Sequence, residues 1–428
     1  MRILYIADNR NRYNWGCRAT SAALSELTGV DNQIVGRISG RLTLSEEFLY
    51  IPLMGEGFNR LIYKNASVEK LAKHIIGRCP EALKEKCDFL TEDFDRSIEL
   101  IQKYARSNRI YREINLDAYR YDAVVINGEG TMIMSSPCRR DSLYYLLFIY
   151  WAKKRKKKVF FVNAMFSDCP VTGRNEDTIR LAKKVLSKCN EVIVRDPVSY
   201  RYAREVIGLS KCRFVPDALF SWKKYYQKEF RIRNIREILP FGYESDEELA
   251  CADMVSHEYI CISGGSAAAW NQSKAAEAYI RMVEKIKEKL SCPIYLLQAC
   301  DGDVFLKNVA EQTHTIFVPV QIPVISGLNL LAHAGLFISG RYHPGIMAAL
   351  GGTPCIFLGA NSHKNLSLQE MLGYDTHKEY HACPTEKDVE EIGREAVQLM
   401  KDVRLRGKIE EVASRLAVEA RQVMKYIR

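Results

Sequence analysis

The chain has 428 residues, a formal net charge of +10 and an apolar fraction of 47%. That length exceeds one ordinary hydrophobic core and implies two domains, and the composition is that of a globular chain rather than a disordered one. The basic balance favours acidic partners, but no interleaving of aromatic and basic residues accompanies it, so nucleic-acid binding is not expected.

Residues 2–7 read as a strand from the start, so no signal peptide is expected ahead of it. A helix follows over 17–27, entered through Asn14-Trp15-Gly16. Residues from about 31 to 118 are mostly helical and polar, and read as an insertion that carries acceptor-specific contacts. A strand over 122–127 runs into a Gly128-Glu129-Gly130-Thr131 loop, and a helix starts near Asp141. Its run Leu143–Ala152 is the most apolar of the chain, yet far short of the roughly 20 residues that cross a bilayer. It reads as a buried core helix. The cations Lys153–Lys158 behind it are open to two readings: a solvated last helical turn that complements the dipole, or a contact with a membrane surface.

Strands at 159–163, 191–195 and 213–215 alternate with helices at 176–187 and from Pro197 to about 206. Residues 221–256 are charged and weakly periodic, and read as an interdomain connection. The alternation then restarts, with strands at 259–262, 293–298, 315–318, 335–338 and 355–358 and a long helix at 274–290. Two helices, about 386–400 and 403–427, close the chain and are expected to pack across both domains. The domains are therefore read as 1–220, 257–385 and the terminal 386–428. Strands alternating with helices argue for parallel sheets covered on both faces, whose ligands bind beyond the carboxyl ends of the strands. The 13 cysteines form no Cys-x-x-Cys pair, so neither a zinc site nor a redox pair is signalled and reduced thiols are expected.

The densest chemistry lies at Ser339-Gly340-Arg341-Tyr342-His343-Pro344-Gly345. A strand end meets a tight turn, a cation, an imidazole and a helix opened by Pro344. The free N–H groups of that helix, the fork of Arg341 and the titratable ring of His343 together suit a phosphate or carboxylate with an acid beside it. The competing reading is an ordinary strand-to-helix turn with a surface arginine.

This segment resembles the Arg-Leu-His signature of the polysaccharide pyruvyl transferase family, with Tyr342 in place of leucine. The Gly-Glu-Gly loop, Val194-Arg195-Asp196-Pro197, Pro216-Asp217 and Lys364 after Pro354–Gly359 are also similar to that family. The resemblance implies two Rossmann-like domains facing a cleft, a GT-B-like architecture. It implies transfer of pyruvyl from phosphoenolpyruvate to a sugar as a ketal in bacterial surface-polysaccharide synthesis, with exopolysaccharide, capsule, lipopolysaccharide and cell-wall polymers all open as the product. It assigns Arg341, His343 and Arg195 to the donor and adds Lys364 as a phosphate contact. From the residues themselves, His343 is the candidate acid, and Glu129 or Asp217, with Asp8 as a competitor, the candidate base. Asp196 is read as a helix cap, Ser263-Gly264-Gly265-Ser266 as an anion-binding turn, and Asn14 and Gly16 as donor contacts. His333 is read as a core histidine, His363 as accessory, and Asp301-Gly302-Asp303 as a turn. No metal or cofactor is called for.

Two rivals stand. One is a glycosyltransferase on the same scaffold using a CMP-activated ulosonic acid of the Kdo or sialic acid type, with Tyr342 stacking on the base. The other is a non-catalytic glycan-binding protein. A cytoplasmic location, with peripheral contact at the inner membrane and a lipid-linked acceptor, fits the basic charge.

Overall fold

The computed structural model describes residues 1–42, 45–229, 235–243 and 254–428. Side-chain alternation sets the two faces of its sheets. In β1 (Arg2–Asp8), Ile3 and Tyr5 enter one apolar core and Leu4 and Ile6 another, and all four are fully buried. Strands buried on both faces read as unbroken apolar runs, and that is the mark of a parallel sheet. β1 is followed by α1 (Trp15–Gly29) and β2 (Gln33–Ser39). The insertion then supplies α2 (Glu56–Ile62), α3 (Ala66–Gly77), α4 (Glu81–Cys87) and further helices over Phe94–Tyr104 and Arg109–Ile114.

Next come β3 (Ala123–Met134), α5 (Arg140–Lys154), β4 (Lys158–Asp168), β5 (Glu191–Val194), α6 (Pro197–Glu205) and β6 (Arg213–Phe214). The six strands form one parallel sheet in the order β2-β1-β3-β4-β5-β6. A second parallel sheet has the order β11-β10-β7-β8-β9, built from β7 (Ile260–Gly265), β8 (Ile294–Leu297), β9 (Ile316–Val318), β10 (Leu336–Gly340) and β11 (Cys355–Phe357). After β10 and β11 come α7 (Tyr342–Ala349) and α8 (Lys364–Leu372). The chain then runs through α9 (Glu386–Met400) and α10 (Val403–Ala420). Two parallel-sheet α/β domains are thus present, as the alternation implied.

Three details differ from the sequence reading. Residues 33–39 are an edge strand paired with β1, so the helical insertion begins only after it. The segment 128–131 is no loop: β3 continues through it, with a register irregularity between Glu129 and Met132 and a left-handed φ of 40° at Glu129. The last helix stops at Ala420, and a short turn of helix over Val423–Tyr426 follows. Of the expected connection at 221–256, residues 230–234 and 244–253 lie outside the described residues, whereas Trp222 is buried in the core.

One continuous apolar core joins the sheets. It contains Tyr5, Val125 and Phe160 of the first sheet and Cys261, Tyr295 and Phe337 of the second. Trp15, at the start of α1, is the wedge between them. Its Nε1 donates to the Val320 carbonyl (2.9 Å), its backbone N–H donates to Ala299 (2.9 Å), and its ring lies so close to Gly327 that a Cβ there would come within 2.9 Å. The terminal helices reach the first sheet as well: Lys158 Nζ donates to the Arg428 carbonyl, and the Arg213 guanidinium sits 4.7 Å from the Tyr426 ring centre.

Candidate active site

Above the wedge, the carboxyl ends of both sheets face one cavity of about 180 Å³. Its lining includes Arg12, Glu129, Arg139, Arg195, Arg341, His343 and Lys364. The start of α1, with Asn14 as its cap, and the start of α7 both open onto it, so two positive helix ends add to five cationic side chains.

His343 is held from both sides. Its Nε2 lies 3.0 Å from Arg195 Nη1 and 3.3 Å from Asp217 Oδ2. Its Nδ1 lies against Gly16, where an added Cβ would sit at 2.5 Å, so the glycine is there because the imidazole needs the space. Asp217 is fully buried and accepts hydrogen bonds from Thr20 Oγ1 (2.8 Å), the Leu219 N–H (2.9 Å) and Arg195 Nη1 (3.2 Å). Burial pushes its carboxyl up, yet His343 and Arg195 hold it well below the usual carboxylate range. Placed behind His343 rather than on the cavity, this carboxylate orients the imidazole. The expectation of Asp217 as a base for a sugar hydroxyl is not met, because both its oxygens are bonded within the protein and it does not line the cavity.

Glu129 keeps its place at the cavity. Asn9 Nδ2 (2.8 Å), Asn127 Nδ2 (3.0 Å) and Ser21 Oγ (3.1 Å) all donate to one of its oxygens, Oε1. Asp8 pairs with Arg10 and Arg37 instead and does not line the cavity.

Arg341 is clamped by a residue the sequence reading took for part of a turn. Asp303, fully buried, accepts from Arg341 Nη2 at 2.6 Å and from Nε at 3.2 Å. The fork is thereby fixed with Nη1 free of that pair. Gly264 is explained by the same carboxylate, since a Cβ there would lie 2.0 Å from Asp303 Oδ1, and Gly265 packs on Gly340. Neither glycine lines the cavity. The anion-binding reading of Gly264 and Gly265 is therefore replaced by close packing. Ser266 contributes indirectly, accepting from Lys364 Nζ at 2.7 Å, with Asn361 Oδ1 accepting at the same distance.

Burial, with Arg341 and Arg195 nearby, brings the Lys364 ammonium down from its ordinary value to about 7. No carboxylate lies within ion-pairing distance of it among the described residues, and Glu379 acts on it only from further away. Tyr342 is buried with its ring under the Arg195 guanidinium (4.4 Å). It supports the arginine by a cation–π contact and also lines the cavity.

Asp196 caps α6 as expected, accepting from the Ser199 N–H (2.8 Å) and Oγ (2.7 Å). It also accepts from Ser367 Oγ (3.1 Å) and meets His363 Nε2 at 3.2 Å, which ties the α8 turn to the first sheet. His363 is accessory in that sense. His333 is a satisfied core histidine, between Ser256 Oγ (2.9 Å) and the Gln227 carbonyl (2.7 Å). Sequence reasoning passed over Arg12 and Arg139, whose loops carry no motif, and Asp303, whose only signal was an acidic residue at the end of a strand.

Two parallel-sheet domains whose strand ends face one cation-lined cavity have a GT-B-like architecture. Over its whole length the fold is similar to UDP-GlcNAc 2-epimerase from Neisseria meningitidis bound to UDP-GlcNAc (TM-score 0.53, 10% identity, covering 98% of this chain and 99% of that one). It is likewise similar to the S. aureus MnaA–UDP co-structure (TM-score 0.52, 11% identity, covering 96% and 91%). Those identities carry the fold alone. No curated protein matches the sequence. The polysaccharide pyruvyl transferase model matches residues 59–362, well over half of the chain, and the protein belongs to that family.

Proposed function

We propose that the protein transfers pyruvyl from phosphoenolpyruvate to two hydroxyls of one sugar in a surface-polysaccharide precursor. The observation that carries this reading is the convergence of Arg195, Arg341, Lys364 and His343, drawn from both sheets, on one small cavity beside Glu129. Cations from two directions suit a donor with a carboxylate and a phosphate on the same carbon. At about 180 Å³ the cavity is smaller than the roughly 300–1,000 Å³ of pockets for drug-sized ligands. That favours a three-carbon phosphate over a nucleotide sugar.

In this reading His343 protonates the donor methylene from Nδ1, the ring nitrogen that Arg195 and Asp217 leave free; the methylene becomes the methyl group, and the adjacent carbon gains cationic character. One sugar hydroxyl adds there as Glu129 takes its proton. The carbon–oxygen bond to phosphate breaks, and the second hydroxyl closes the ketal, its proton leaving with phosphate. Arg341 and Lys364 neutralise the departing phosphate, and Arg195 holds the carboxylate. Asp217 keeps His343 oriented.

The test is donor binding by calorimetry and phosphate release on adding an acceptor glycan, with Arg341→Ala for comparison. Wild type is expected to bind phosphoenolpyruvate, and the variant to lose at least 100-fold in affinity. Selective binding of CMP- or UDP-sugars, with phosphoenolpyruvate ignored, would overturn the reading in favour of a glycosyltransferase.

A further inference from the structure

The insertion carries a surface that its own folding does not explain. On α2–α4 and the turn between α2 and α3, Leu61, Tyr63, Leu71, Ile75 and Leu83 are between 39% and 56% exposed. Leu71 and Ile75 stand one turn apart on α3 and share a face, while Ala72 and Ile76 fill the buried side. Arg78, at the end of α3 and seven residues beyond Leu71, continues that stripe. Residues 56–87 hold seven Lys and Arg against four Glu. Lys73 pairs with Glu69, and Lys84 with Glu46 and Glu81. Arg60, Lys64, Lys70, Arg78 and Lys86 have no carboxylate partner among the described residues.

The Lys153–Lys158 run, the membrane candidate from sequence, is different. Lys154 pairs with Asp95 and Arg155 with Asp117, each at 2.6 Å. Two of its six charges are answered by carboxylates, and no exposed large apolar side chain accompanies the run, so the lipid-facing half of an interfacial surface is missing there. Exposed aliphatic side chains set among unanswered cations describe an interfacial surface for anionic lipid. A protein-binding face would instead concentrate its apolar residues and shed lysine from the centre.

The position of this surface fits as well. The insertion leaves the first sheet after the carboxyl end of β2, on the cleft side. Asp88, which follows α4, pairs with Arg140, the neighbour of the cavity residue Arg139. We infer that α2–α4 dock the protein on an anionic phospholipid bilayer, with the cavity mouth turned toward an acceptor held in that bilayer by a lipid. The docking stands on this surface alone; the role of the acceptor rests on the transferase reading.

Co-sedimentation with vesicles of phosphatidylglycerol and phosphatidylethanolamine, against vesicles of phosphatidylcholine, tests it. Wild type is expected to pellet with the anionic vesicles and to be released as salt rises. Leu71→Asp/Ile75→Asp, at exposed positions, is expected to lower the bound fraction at least tenfold with an unchanged melting temperature. Lys64→Glu/Arg78→Glu is expected to weaken binding and flatten its salt dependence. Wild type remaining in solution with anionic vesicles at low salt would overturn the inference, as would a Leu71→Asp/Ile75→Asp variant that binds like wild type. Phosphoenolpyruvate binding, measured on the same samples, separates the two readings: its loss would strike the transferase assignment and leave the docking surface standing.

Discussion

The contact between the two sheets has two zones built on opposite physics. Below, Trp15, Tyr295 and Phe337 make a dry apolar seam. Above, Arg195, Asp217, His343, Asp196 and His363 meet across the same boundary as buried ionic and hydrogen-bonded groups. The lower zone is non-directional and supplies stability. The upper zone is directional and costs desolvation, which is tolerable because the seam beneath already fixes where the partners lie. Large apolar interfaces restrain domain motion, so the upper groups are held in one arrangement before any donor arrives.

This contrast can be broken from below. Trp15→Ala removes the wedge and a buried hydrogen bond, and should cost about 3–5 kcal/mol of stability. Thermal unfolding checks the loss, and donor affinity should fall with it as the two halves of the site lose register. Gly16→Ala, one residue along, sharpens the comparison. The seam stays intact while the new Cβ displaces His343. Turnover should fall about 100-fold with a much smaller change in melting temperature, and steady-state kinetics beside calorimetry would separate the two effects.

The smallest effect is electrostatic. Burial holds the Lys364 ammonium down to about 7. A bound anion favours its charged form, so binding takes up a proton above that pH. Phosphoenolpyruvate affinity should be full below pH 7 and decline as pH rises past it, by up to tenfold per unit. Lys364→Met should bind more weakly and remove that decline. Isothermal titration in buffers of different ionisation enthalpy reads the proton directly.

Much of this was legible in the sequence, and the parts that were not share a cause. Alternating apolar strands and helices announced two parallel sheets, and strand ends with Arg195, Glu129 and Arg341 announced the site. The edge strand β2 was hidden because it is half exposed and interrupted by Gly36 and Arg37, which blurs its period. Asp303 was hidden because its partner Arg341 lies 38 residues away and only the fold joins them. Gly264 and Gly265 were misread for the same reason: a small residue in a turn admits an anion or a neighbouring side chain equally well, and sequence does not say which. Tyr342 has a second role that sequence does not show: it lines the cavity and its ring also supports Arg195.

Glu129 sits at a backbone angle that glycine adopts freely and that other residues hold at a cost of about 1–3 kcal/mol. Two glycines flank it, yet the strained position itself bears a side chain. A chain selected for stability alone would place a third glycine there. On the proposed transferase reading, the carboxylate at that position is a trade of robustness for activity, and position 129 is one where stability-guided redesign would damage turnover while improving the melting temperature.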